Sequence, residues 1–182
     1  ILSGGDPLAL PTARLARISA ALAGLDTLQR LRIHTRTPIV LPSRVDSLLL
    51  DWLGGLRWPV VVVVHVNHPR ELDDAVRAAL RRLADAGATL LNQSVLLRGI
   101  NDDVETLVTL SGELFAAGVL PYYLHLLDHA RGTAHFDTGT DEARALHDAL
   151  AARLPGYLVP RLVREVEGAP AKTPLGPGRL AE

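Results

Sequence analysis

Trp58-Pro59-Val60-Val61-Val62-Val63-Val64-His65-Val66-Asn67-His68-Pro69 is the stretch that decides the fold class. Five consecutive valines offer no polar face, so the strand they form must be covered on both sides, which is the environment of a central strand in a parallel sheet. The apolar run ends in two imidazoles and an amide, and Pro69 then stops the ladder. A buried strand that opens onto a polar loop is the local signature of a βα unit.

The same rhythm extends in both directions. Upstream, Leu15, Ile18 and Leu22 recur at helical spacing from about Thr12 to Ala23, with Gly24 as a stop. Leu31-Arg32-Ile33 reads as a short strand running into His34-Thr35-Arg36-Thr37-Pro38, with Ile39 to Leu41 as a candidate extension, and Asp46 to Leu53 reads as a short helix. Downstream, Asp73 to Ala86 presents Val76, Leu80 and Leu83 on one face and Arg77, Arg81 and Arg82 on the other. Thr89 to Leu91 is the next strand, ending in Asn92-Gln93-Ser94, and Asn101-Asp102 is placed to cap the helix that ends at Gly118. Pro121 to Leu126 is a further strand, followed by Asp128; a helix begins at Thr140 or Asp141, and Tyr157 to Val163 is the last strand. The tail from Gly168 is rich in Gly and Pro and reads as irregular.

Strict alternation of about six strands with helices predicts an α/β fold with a parallel sheet, either doubly wound or a partial (β/α) barrel. Five strand ends carry polar residues before the next helix, the first of them at Leu2-Ser3-Gly4-Gly5-Asp6-Pro7. In a barrel that rim holds the chemistry. Residues 1–166 are expected to form the partial barrel, and 167–182 an irregular C-terminal segment carrying Lys172. The chain opens on Ile1-Leu2, inside a strand and without Met, so an N-terminal part is expected to be missing.

Composition narrows the function. The 19 basic and 20 acidic residues nearly cancel, which argues against nucleic acid and anionic membranes as partners and leaves a small polar substrate as the default. No run is long enough to cross a bilayer, and a cytoplasmic location is expected, with a homo-oligomer open. There is no Cys, so neither a disulfide nor a thiolate metal site can come from this chain.

The adjacent glycines Gly4 and Gly5 remove both Cβ atoms, so backbone groups can touch a ligand; Asp6 could accept from an amino group or a ribose. A plain turn is the alternative. His34, His65 and His68 are of the type that ligates metals, but no carboxylate completes a His-x-x-His set, and hydrogen bonding near strand ends is the favoured reading. Asn92 and Gln93 are neutral amides suited to a zwitterion or to nearby backbone. Asp128 and Glu165, acids after or late in apolar strands, either pair a cationic substrate or form ion pairs with Arg131 or Arg164. Lys172 lies between Pro170 and Pro174, where its amine could be held for a covalent bond to a carbonyl, or simply be solvated.

Taken together, Leu2-Ser3-Gly4-Gly5-Asp6, Arg36-Thr37-Pro38, His65-Val66-Asn67-His68-Pro69, Asn92-Gln93-Ser94-Val95-Leu96-Leu97-Arg98-Gly99, Pro121-Tyr122-Tyr123-Leu124, Gly132 with His135-Phe136, and Lys172-Thr173-Pro174 closely resemble the lysine 2,3-aminomutases of the radical S-adenosylmethionine superfamily. Tyr123-Leu124-His125, Gly156-Tyr157-Leu158-Val159-Pro160 and Pro170-Ala171-Lys172-Thr173-Pro174-Leu175 are similar to the branch whose product modifies translation elongation factor P through a separate lysyl ligase. The resemblance implies a radical-initiated isomerisation of L-α-lysine to (R)-β-lysine with pyridoxal 5′-phosphate, S-adenosylmethionine and a [4Fe–4S] cluster. Lys172 would bind pyridoxal phosphate, and Asp128 and, less securely, Glu165 would hold the substrate ε-ammonium. Ser3, Gly4, Gly5, Asp6, His65 and Gln93 would contact S-adenosylmethionine. His125 stands where the free-lysine enzymes have Tyr, and the cluster cysteines of the family are missing from this chain, so the chain alone is expected to be inactive. A free-lysine enzyme of metabolism and a non-catalytic binding fragment are the alternative readings.

Overall fold

The computed structural model describes residues 1–128, 132–169 and 171–176. Its elements, in chain order, are α1 (Thr12–Leu22), β1 (Leu31–Thr35), α2 (Thr37–Val40), α3 (Ser47–Gly54), β2 (Val60–Val64), α4 (Asp74–Asp85), β3 (Ala88–Val95), α5 (Val104–Ala116), β4 (Val119–His125), α6 (Thr140–Ala151), β5 (Arg161–Arg164) and β6 (Thr173–Pro174). The six strands form one mostly parallel sheet in the order β1-β2-β3-β4-β5-β6. β1 pairs parallel with β2 and β4 with β5, whereas β6 returns antiparallel on β5. A doubly wound sheet reverses its strand order at a switch point, and this sheet does not. The α/β class and the barrel-type order expected from the alternation are both observed.

Two compact units share the chain: Ile1–Val66, Glu71–Leu91 and Ala117–Val119 in the first, and Asn67–Arg70, Asn92–Ala116 and Leu120–Glu182 in the second. In the first, the valine strand behaves as its composition demands, with Val60, Val62, Val63 and Val64 buried. β1 alternates, burying Leu31, Ile33 and Thr35 and turning Arg32 and His34 to the other face. Two helices start on aspartate caps: the Asp46 carboxylate accepts from Leu49 N–H and that of Asp73 from Val76 N–H, each at 2.8 Å. Such caps contribute about 1 kcal/mol each by satisfying donors that the helix leaves open.

In the second unit, Leu96, Leu107, Leu124, Leu126, Ala143, Leu150 and Leu162 form a continuous core. Burying a leucine side chain stabilises by about 1.5–3 kcal/mol, so this cluster fixes which face of the sheet is covered by α5 and α6. Because side chains alternate along a strand, Tyr123, His125 and Val163 are turned to the opposite face from Leu124 and Leu162. Arg153, two residues past α6, makes a bidentate pair with Glu105 on α5. Among the described residues no helix is long and apolar enough to cross a membrane.

Several local expectations are corrected. Ile39 does not extend β1: Pro38 sits in the first turn of α2, where its fixed φ and missing N–H suit a helix start. Asn92-Gln93-Ser94 does not follow β3 but lies inside it, where the buried Asn92 donates from Nδ2 to Ser94 Oγ at 2.9 Å. The α5 cap is Asp103, whose carboxylate accepts from Thr106 N–H at 2.9 Å. Asn101 is instead fully buried, accepting from Leu97 N–H (2.7 Å) and donating to Asn67 O (2.8 Å) and Val95 O (2.9 Å). Asp103 follows Asn101-Asp102 directly, and tertiary context decides which of the three caps the helix.

Tyr157 is not in a strand; Pro155 and Pro160 bracket a 3-10 turn over Gly156–Leu158, and β5 begins after the second proline. Within the tail, Thr173–Pro174 is a strand and not irregular. β5 needs partners for its outer backbone groups, and β6 supplies them, with Val163 opposite Pro174, Arg164 opposite Thr173, and Leu175 N–H donating to Leu162 O at 3.0 Å. The sixth strand is therefore β6, while Leu2 makes a single parallel bridge to Ile33.

Candidate functional site

Ser3, Gly4, Gly5, Asp6 and His65 belong to the first unit. Leu2 N–H donates to Arg32 O at 2.8 Å and His34 N–H to Leu2 O at 3.0 Å, so the turn that follows leaves from a point fixed on β1. Gly4 and Gly5 have φ of +84° and +61°, which L side chains rarely adopt, and a Cβ at either would meet nothing within 4 Å. The turn therefore presents main-chain edge to open space, as a backbone that must approach a ligand does.

Asp6 is occupied differently from what the sequence suggested. Its Oδ1 accepts from Leu8 N–H (3.0 Å) and Thr35 Oγ1 (2.6 Å), and its Oδ2 from the N–H groups of Arg36 (2.7 Å) and Thr37 (3.0 Å). The carboxylate ties the glycine turn to the end of β1 and the start of α2. Burial pushes the Asp6 carboxyl up, but the bonds from Thr35, Arg36, Thr37 and Leu8 outweigh it and hold it below the ordinary value. A carboxyl depressed in the folded state contributes stability above its ordinary pKa, and that contribution is lost as pH falls through the depressed value. Asp6→Asn should accordingly lower stability by about 1–2 kcal/mol at neutral pH, the part-exposed site discounting the full worth of bonds to a charged acceptor. In urea titrations the gap to the parent chain should close in acid below the ordinary carboxylate pKa; a gap that persists there would refute the role.

Near this turn the Arg36 guanidinium pairs with Glu71 at 2.9 Å. His34 and His65 stand edge to face, their ring centroids 6.4 Å apart. His68, in the second unit, accepts from Arg70 N–H on Nδ1 at 3.1 Å.

Gln93, Asp128, Glu165 and Lys172 belong to the second unit. Gln93 turns to the face of β3 opposite the buried Asn92 and Ser94. The β5–β6 pairing places Glu165, just past the end of β5, beside Lys172, just before β6, and the Lys172 ammonium pairs with Glu165 Oε1. That bond and the ammonium charge hold the Glu165 carboxyl below its ordinary value. The Lys172 Nζ also stands 5.7 Å from the centre of the Tyr123 ring, which attracts the cation through its π face. Tyr123 in turn meets His125 edge to face at 5.6 Å and receives a hydrogen bond from Tyr122 between the two phenol oxygens at 3.0 Å. Glu165, Val166, Ala169, Ala171 and Lys172 line a cavity of about 270 Å³. A larger surface groove on α4, lined by Ala75, Ala78, Arg81, Arg82 and Asp85, holds no aromatic or amine and has no part in this arrangement.

The open alternatives for the two acids resolve unequally. Arg164 donates to Thr140 Oγ1 at 2.7 Å, and Glu165 pairs with Lys172 instead. Asp128, three residues past β4, is exposed and makes no hydrogen bond or ion pair among the described residues; Arg131 lies outside them. Tyr123 is the participant that had no role assigned from sequence, because a tyrosine in a strand reads as packing. A further signal was present: the chain has eighteen arginines and one lysine, Lys172.

Compared with known proteins, the chain is 47% identical over 175 residues to a protein from Escherichia coli K12 named L-lysine 2,3-aminomutase, an alignment covering 96% of this chain and 51% of that protein. It is 47% identical over 173 residues to the protein of the same name from Haemophilus influenzae (95% and 51%), and 38% identical over 177 residues to that from Clostridium subterminale (97% and 42%). The chain belongs to the lysine 2,3-aminomutase family. It spans about half the length, or less, of these curated relatives. No family model matches the chain.

The family implies three cofactors, and the residues present fit them unequally. A primary amine held between a carboxylate and an aromatic ring suits the aldehyde of pyridoxal phosphate. The open glycine turn suits the methionyl end of S-adenosylmethionine. For an iron–sulfur cluster the fit fails: the chain has no Cys, and among the described residues no group of three or more His, Cys, Asp or Glu could hold a metal.

Proposed function

We propose that this chain carries the substrate and organic-cofactor contacts of a lysine 2,3-aminomutase, acting in the cytoplasm to make (R)-β-lysine for attachment to elongation factor P. The observation that carries the reading is the pairing of the chain's only lysine with Glu165 against Tyr123. Pyridoxal phosphate, when bound, supplies the conjugated system that stabilises an unpaired electron during amino migration. Lys172 provides the amine that binds it. Tyr123 provides an apolar face that limits where that amine can go. Glu165 stays ionised and Asp128 is exposed, so both can accept hydrogen bonds from the substrate ε-ammonium, which fixes the β-carbon in line for reaction. Within the first unit, the Gly4-Gly5 backbone and His65 offer donors and acceptors for the amino-acid end and ribose of S-adenosylmethionine.

The destination of the product is supported by Tyr123-Leu124-His125 and Gly156-Tyr157-Leu158-Val159-Pro160, which resemble the factor-P branch. Deleting the gene in its source organism should leave factor P without the β-lysyl mass increment. Fully modified factor P in the deletion strain would point instead to a free-lysine enzyme of metabolism.

A further inference from the structure

Ser3, Gly4 and Gly5 form an exposed turn between two fixed points of the first unit. Upstream, Leu2 is bonded to β1 through Arg32 O and His34 N–H. Downstream, four donors close over the Asp6 carboxylate, and Leu8 beyond it is buried, with Arg44 Nε donating to its carbonyl at 3.0 Å. One of the four donors is a side chain. Thr35, the last residue of β1 and 2% exposed, donates its hydroxyl to Asp6 Oδ1 at 2.6 Å, while its Oγ1 accepts from Thr37 N–H at 3.1 Å. The hydroxyl is used in both directions, and it reaches across 29 positions of chain to the residue that ends the turn. A link this short has few paths between fixed ends, so the course of the Gly4-Gly5 main chain is set by where Asp6 is held.

We propose that Thr35 is a positioning residue for the glycine turn, and through it a determinant of how the amino-acid end of S-adenosylmethionine is bound. The inference rests on the reading of the Gly4-Gly5 main chain as a contact of that ligand. A carboxylate has about four accepting sites, and four protein donors fill those of Asp6, so Asp6 orients the turn and leaves the ligand to the glycines. Thr35 fixes where that carboxylate stands. A methyl group in place of the hydroxyl cannot come so close: carbon meets oxygen at about 3.3–3.6 Å, so Thr35→Val pushes Oδ1 back by about 1 Å and removes one of its donors. Serine keeps the hydroxyl at the same place on the chain.

The test uses the full-length protein carrying its cofactors, with S-adenosylmethionine affinity read by anaerobic calorimetric titration and lysine affinity from the change in pyridoxal absorbance. Thr35→Val should weaken S-adenosylmethionine binding about tenfold, a fraction of the hundredfold that misplacement by about 1 Å can cost, and leave lysine affinity within about twofold. Amide exchange from Ser3 to Leu8 should quicken. Thr35→Ser should restore both affinity and exchange. Asp73→Ala removes the cap of α4 in the same unit at a similar cost in stability, and should leave S-adenosylmethionine binding unchanged. In an Asp6→Asn background, Thr35→Val should add less than about twofold, because the two act in one chain of contacts. Gly4→Ala strains a backbone held at φ +84° and should weaken S-adenosylmethionine binding at least as much as Thr35→Val. Normal binding by Gly4→Ala overturns the reading of the turn and this inference with it. Normal binding by Thr35→Val, with binding lost in Gly4→Ala, overturns this inference alone. Equal losses of lysine and S-adenosylmethionine in Thr35→Val, or no recovery in Thr35→Ser, would mark general loosening and also overturn it.

Discussion

Lys172→Ala should abolish the visible absorbance of bound pyridoxal phosphate in the full-length protein and its fixation by borohydride. The expected loss is complete, because Lys172 is the sole lysine of this chain and its eighteen arginines carry guanidinium groups that stay protonated and are no nucleophiles. The neighbours of the amine point the same way: Glu165 in pairing distance and the Tyr123 ring 5.7 Å away hold it at a defined place. Lys172→Arg is the control that separates chemistry from charge. It keeps a cation for Glu165 and should keep the β5–β6 pairing, yet it should show no absorbance. Borohydride-stable label elsewhere in this chain after either substitution would remove Lys172 from the site.

Asp128→Asn should weaken lysine binding by about thirtyfold while leaving S-adenosylmethionine affinity within about twofold. The amide keeps the size and one acceptor but loses the charge that pairs with an ammonium, a change of about 2 kcal/mol where the contact is desolvated by the bound substrate. Free Asp128 has no hydrogen bond or ion pair among the described residues, so substitution leaves no partner stranded and stability should be unaffected. A fall in melting temperature, or equal loss of both ligands, would show that Asp128 serves the fold and not the substrate.

Much of this was legible from composition and spacing. Five valines in a row cannot be anything but covered, and the alternation around them leaves few topologies. The glycine pair announced a turn that only glycine enters, and both residues have positive φ. Other residues were read in the right place with the wrong company. Asp6 was read as a ligand contact, yet four protein donors surround its carboxylate; neither Thr35 nor the N–H groups of Arg36 and Thr37 could be assigned to it from a distance of some thirty positions in the chain. Asn101 read as a cap and is a buried bridge between Leu97, Asn67 and Val95, because Asp103, two residues on, directly precedes α5 and caps it.

The sequence by itself determined the class of fold and the inventory of chemical groups, since strand burial follows from side-chain type and periodicity, and an amine, two acids and a glycine pair exist wherever the chain happens to go. Tertiary structure decided which of those groups meet. Glu165 faces Lys172 only because β6 turns back antiparallel on β5, and Tyr123 shares their face only because Leu124 and Leu162 are committed to the core beneath α5 and α6. Pairing of that kind is set by sheet register and by which side of the strand must be dry, and neither is a property of any short stretch.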